Sequence, residues 1–234
     1  MNLFRRLFFV ALCAGTLSGA AITVVHQIGA VPIILQAEVF EKSAEIPAAE
    51  PMATTTAAYE HEATAWEPED GIERTAYTGL ADVLTGIAFA LLLVSGYTIS
   101  GTAMNWRKGL FWGLAGFASF TLAPGLGLPP EVPGTEAAPL LDRQIWWSVT
   151  VLLTGGGLAL MAFSRQARWA VVAILLIALP HLVGAPQPAD HASAAPEALA
   201  HSFIVAATVT SLLFWACLGM STGAMFQRYA QSTV

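Results

Sequence analysis

The sequence predicts an all-α integral membrane protein folded as a six-helix transmembrane bundle, and three observations predict it. Hydrophobic residues make up 56% of the 234 residues and charged residues only 11%, with a mean hydropathy of +0.63, well outside the range of a soluble domain of this length. Apolar stretches near the roughly 20 residues that a bilayer crossing needs recur along the chain. Between them lie connections rich in Pro, Gly and charge. The clearest runs from Thr121 to Trp147, where an apolar run breaks at Pro124, bends past Glu131, Glu136 and Asp142, and becomes apolar again at Trp146 and Trp147.

Taken in order, the chain reads as a single membrane domain spanning residues 1–234. Arg5 and Arg6 precede an apolar helix expected over 7–35. Its apolarity continues past the small residues Gly15 to Ala21, so an uncleaved helix is expected rather than a signal peptide. Residues 36–76, rich in Glu, Ala, Thr and Pro, offer little to build a core from and are expected to form a mobile acidic outer loop. Further helices are expected over 78–100, 110–126, 145–163, 169–184 and 196–224. The fifth is short and carries Pro180 near its end, where the freed carbonyl needs another partner. Pro196 suits the first turn of the sixth. Gly15 with Gly19, Gly109 with Gly113, and Gly219 with Gly223 are small-xxx-small pairs that let helices approach closely. Cys13 and Cys217 lie in apolar runs and are expected to be free thiols.

Charge sets the orientation. With the N- and C-termini cytoplasmic, Arg5, Arg6, Arg107, Lys108, Arg165, Arg168 and Arg228 fall inside, leaving Lys42, Arg74 and Arg143 outside. All 16 acidic residues fall outside or, for Asp82, in the outer third of the second helix. Insertion does not require that second asymmetry, because acidic residues direct topology only weakly. An electronegative mouth concentrates cations; acidic loops are also simply soluble.

The histidines, His26, His61, His181, His191 and His201, lie in the same outer half. Imidazole with carboxylate is a ligand set that suits borderline divalent transition metals. His26 stands inside an apolar run, where an ionisable group is costly and needs a partner; Gln27 and either Asp82 or His201 are the candidates. Asp82 shares a helical face with Thr78 and Thr85, although an anion near an outward-facing helix N-terminus needs no further explanation. His181 at a helix C-terminus equally suits the helix dipole. His201 follows Glu197 by four residues, a spacing that puts both on one face; a first-turn Glu and an interfacial His explain the pair as well. His61 and His191 fall in loops, where a solvated ring is the ordinary case. Glu38, Glu41 and Glu45 would share a face if a helix extends there.

A faint internal repeat is present: basic start, helix, Pro-broken end, returning helix, from Arg107 to Trp147 and again from Arg165 to His201, with a looser copy from Arg5. It points to three repeated helical hairpins, an arrangement that in transporters places the substrate site at the repeat interface.

The blocks VPIILQAEVFE (31–41), GLFWGLAGFASFTLAPGLGLPPEVPG (109–134), DRQIWW (142–147), PHLVGAP (180–186) and FWACLGMSTG (214–223) resemble the CbtA family, predicted cobalt transporter subunits of bacteria. The resemblance implies a membrane protein of five or six spans in the cytoplasmic (inner) membrane, working with a small one-span, His-rich CbtB-like subunit. It carries Gln36, Glu38, Glu131, Asp142, Arg143, Gln144 and His181 as first candidates. Together with His26, His201 and Asp82 from the residue reading, the expected metal-handling set is His181, His26, His201, Glu131, Asp142, Asp82 and Glu38.

The expected function is therefore divalent metal transport, with Co(II) as the transported ion, no permanently bound cofactor, and the bilayer, the metal ion and a CbtB-like subunit as partners. No nucleic-acid partner is expected. The chain has no G-x-x-x-x-G-K-[ST] phosphate loop and no H-E-x-x-H motif, so neither that route to ATP energy nor enzyme activity is expected. A non-transporting docking protein for a metal-binding partner is the alternative.

Overall fold

A computed structural model of the chain describes residues 3–45, 68–189 and 193–231. Those residues are helical and carry no strand. The helices are α1 (Leu3–Ile28), α2 (Ala30–Glu45), α3 (Ile72–Ser100), α4 (Trp106–Phe117), a π-helical turn (Ala118–Leu122) leading into the single turn α5 (Ala123–Gly125), α6 (Leu140–Phe163), α7 (Ala167–Val183) and α8 (Glu197–Gln231). By length and apolarity α1, α3, α6 and most of α8 can each cross a bilayer, and α7 is a shorter apolar helix.

Several boundaries differ from the expected ones. The helix expected over 7–35 is two helices, broken at Gly29, whose N–H still donates to Val25 O at 2.9 Å. Pro32 then falls in the first turn of α2, where its missing N–H costs nothing. The segment 36–76, expected to be a loop, is helical up to Glu45 and again from Ile72; its middle, residues 46–67, lies outside the described residues. The spacing of Glu38 and Glu41 is thus a helical one.

The π turn has a local cause. In a regular helix the Pro124 ring would clash with the carbonyl of Phe120, four residues earlier, and could not donate to it. A wider turn, in which the Ala123 N–H reaches back to Ala118 O, moves that carbonyl out of register.

Glycines decide which helices touch. On α1, a Cβ at Gly15 or Gly19 would stand 2.5 Å from the backbone of Ile87 or Val83, so α1 and α3 cross backbone to backbone. On α4, Gly109 and Gly113 meet Gly219 and Gly223 of α8 in the same way; a Cβ at Gly109 would lie 2.2 Å from Gly219 O. Such contacts trade side-chain volume for close packing where no hydrophobic drive separates protein from lipid. Around these crossings Val10, Val94, Tyr97, Trp215 and Leu218 are buried, and the Tyr97 hydroxyl meets Thr222 Oγ1 at 2.9 Å.

Of the three expected hairpins, α1 with α3 is present, and the other two are not. α7 packs along α6, while α8 packs on α4 and α1. The reason is again steric: the glycine faces of α4 and α8 fit each other, and Gly157 of α6 lies against Ala173 and Ile177 of α7. The Trp146 indole N–H donates to Pro180 O at 3.2 Å and pins α6 to α7 at the kink-prone end. Large apolar residues on α7 such as Val171, Ile174, Leu175 and Leu182 are exposed, as a lipid-facing helix requires. Both cysteines are free.

Candidate functional site

The α1–α3 crossing places the interior polar residues. Thr23 and His26 follow Gly19 by four and seven residues on α1, so they lie on the face that Gly19 presses against Asp82 and Val83. His26 Nδ1 is 3.0 Å from Asp82 Oδ2. The Thr23 hydroxyl is 2.9 Å from the same oxygen and 3.0 Å from Gly19 O, two acceptors for its one proton. His26 and Asp82 side chains are 30% and 15% exposed, and both line a half-open cavity of about 550 Å³ between α1, α2, α3, α6, α8 and the π turn.

Thr78, Asp82 and Thr85, one face of α3, all line this cavity. Opposite them Thr121 and Ser211 share a hydrogen bond of 2.7 Å. Arg74 stands at its rim, with its guanidinium forked onto both carboxylate oxygens of Glu38 and 2.8 Å from Asp70 Oδ1. That fork ties α2 to the start of α3.

Chemically, the His26–Asp82 pair has the form of an oriented metal ligand. When Nδ1 carries the proton and donates it to Asp82, the lone pair is on Nε2, and the carboxylate fixes ring orientation and raises ligand basicity. The hydroxyls around the cavity supply weak oxygen donors. Among the described residues no three His, Cys, Asp or Glu side chains are grouped to hold a metal ion, so the cavity offers a partial ligand set.

The other candidate residues are dispersed. Glu38 is tied to Arg74 and does not itself line the cavity. Glu131 pairs with Arg143 at 3.0 Å, in the lining of a second, open cavity of about 800 Å³ bordered by the Pro124–Pro130 bend, α6 and α8. Asp142 is exposed in the first turn of α6. His181 sits edge-on to Trp146, ring centres 5.9 Å apart, and does not line the His26 cavity. His201 is exposed on α8, one turn past the exposed Glu197. His61 and His191 lie outside the described residues.

Sequence reasoning missed Arg74, Thr23 and Phe120. Arg74 had a signal: a lone basic residue beside so many acids invites the question of which one it neutralises. Thr23 lay four residues from Gly19 and three from His26. Phe120 had only Pro124, four residues later, to mark it.

These features define a multi-pass helical membrane protein with a half-open, mostly apolar cavity into which a His–Asp pair is set. The chain belongs to the CbtA family, described as a probable cobalt transporter subunit, whose model matches residues 4–227. No curated protein sequence and no solved structure matches it.

Proposed function

We propose that this chain is the membrane subunit of a cobalt uptake system of the bacterial cytoplasmic membrane, carrying Co(II) inward through the His26–Asp82 cavity. In this reading the bundle crosses six times, α4, the π turn and α5 together forming the third crossing, with both termini in the cytoplasm. The acidic connections face outward and feed the cavity. The observation that carries the reading is the His26–Asp82 pair, an ionisable couple inside a bundle whose family is described as a transporter subunit. A partial ligand set suits transport, which must bind its ion and then let it go. Ordinary nitrogen and oxygen sites favour nickel and copper over cobalt, so geometry or supply sets the choice of metal. No enzyme activity and no resident cofactor are part of the proposal. A small His-rich CbtB-like subunit would deliver or receive the ion, since this chain has no His-rich tract of its own.

The test is uptake of radiolabelled cobalt, with nickel as competitor, by cobalt-starved cells expressing the chain alone or with its partner. Uptake that disappears in His26→Ala and Asp82→Asn at unchanged membrane level supports the reading. No uptake of any divalent ion by either combination would leave the second reading, a docking protein for a metal-binding partner. That alternative draws on the dispersal of the remaining candidate residues and on the arginines that already hold Glu38 and Glu131.

A further inference from the structure

The cavity that holds His26 and Asp82 has an aromatic floor. Phe89, Phe120, Phe214 and Trp215 all line it and pack on one another, with ring centres 5.0 Å apart for Phe89 and Phe120, 4.7 Å for Phe89 and Trp215, and 5.5 Å for Phe120 and Trp215. Such a floor gives a hydrated cation little to replace its water with, and apolar constrictions of this kind close a pathway by excluding water. An ion leaving His26 toward the Lys108 end of the bundle would meet these rings.

Phe120 is placed to be that ring. Its side chain borders three cavities: the His26–Asp82 cavity, the 800 Å³ cavity beside Glu131, and a third of about 630 Å³ between α3, α4 and α6 that includes Gly96, Ser119, Gly155 and Lys108. Lys108 is in the first turn of α4, so the third cavity extends toward the basic end of the bundle. Phe120 is also the central residue of the π turn Ala118–Leu122. Pro124 holds that turn in its π register, so the backbone beneath Phe120 is fixed and the ring can move by turning about its own side-chain torsions. Such a rotation would swing the ring from one cavity toward the next while α4 stayed locked to α8 by its glycines. Gly116, one turn earlier, leaves Trp215 room to lie on the α4 backbone; a Cβ there would stand 2.2 Å from the indole.

We infer that Phe120 is the gate residue between the His26–Asp82 cavity and the Lys108-side cavity. The inference rests on the transport reading for its purpose, and its test reads water access rather than metal. In a Cys13→Ser/Cys217→Ser background, Gly155→Cys places a thiol on the Lys108-side cavity, where an added Cβ meets only Ser119 Oγ at 3.7 Å. A membrane-impermeant thiol reagent is then applied to right-side-out vesicles. With Phe120 intact labelling is slow. Phe120→Ala should raise its rate by an order of magnitude or more, and Phe120→Leu, a smaller apolar plug that spares the fold, by less. Phe226→Ala, a ring of the same core that packs on Tyr97 and borders none of the three cavities, should leave the rate unchanged. Unchanged labelling in both Phe120 variants, or equal acceleration by Phe226→Ala, overturns the gate. Cobalt uptake measured in parallel separates the two readings: faster labelling without cobalt movement keeps the gate and sinks cobalt transport, while cobalt movement with unaltered labelling does the reverse.

Discussion

Asp82 and Glu131 each line a cavity, and their partners differ in kind. Asp82 is bonded to an imidazole and a hydroxyl. Glu131, like Glu38, is held by a guanidinium. A guanidinium keeps its charge and has no lone pair to offer, so its carboxylate is neutralised and positioned, and an arriving cation must first displace a tethered one. An imidazole can be neutral and can itself ligate, so the Asp82 carboxylate is free to orient a ligand. Carboxylates of similar composition thus serve as structural ties in one place and as part of a candidate ion site in another.

Four substitutions probe that difference, in falling order of effect. His26→Ala removes the nitrogen donor and should reduce cobalt uptake to the level of cells lacking the protein; substantial residual uptake would mean the cavity is not the path. Asp82→Asn keeps the shape but loses the negative acceptor, and should lower uptake by about 10-fold to 100-fold, the usual cost of a ligand's orienting partner. Arg74→Gln releases Glu38 and Asp70 and should shift the apparent affinity for cobalt by a few-fold, as expected when the charged hydrogen bonds of a part-exposed ion pair near a site are removed; saturation curves of uptake check it. Glu131→Gln should leave uptake within about twofold, because a part-exposed ion pair contributes little. A fall as deep as that of Asp82→Asn would erase the distinction between the two carboxylates.

Local spacing made much of this legible. The common face of Thr78, Asp82 and Thr85 follows from helical periodicity, and the expense of a histidine in an apolar run pointed to Asp82 as one of its possible partners. The small-xxx-small pairs announced close crossings. They could not announce which helix would be met, because a bare glycine face fits any other bare face, and so α8 was expected beside α7 and instead packs on α4 and α1. The break at Gly29 was hidden because both sides of it are apolar. The ion pair of Glu38 with Arg74 joins residues on either side of a long intervening segment, and charge alone does not choose among the acids near one arginine. The π turn depends on how Pro124 is accommodated, a matter of backbone register that composition does not report.

The four-glycine crossing of α4 and α8 also governs how the molecule is made. Synthesis proceeds from α1, so the α1–α3 crossing can form early, as a local pair. The glycine face of α4 then enters the bilayer with α6 and α7 still to come, and stays bare until α8 leaves the ribosome. Closure of the core, with Trp215 laid against Gly116, is therefore a late event, and until then the α4 groove is open to any other small-faced helix in the membrane.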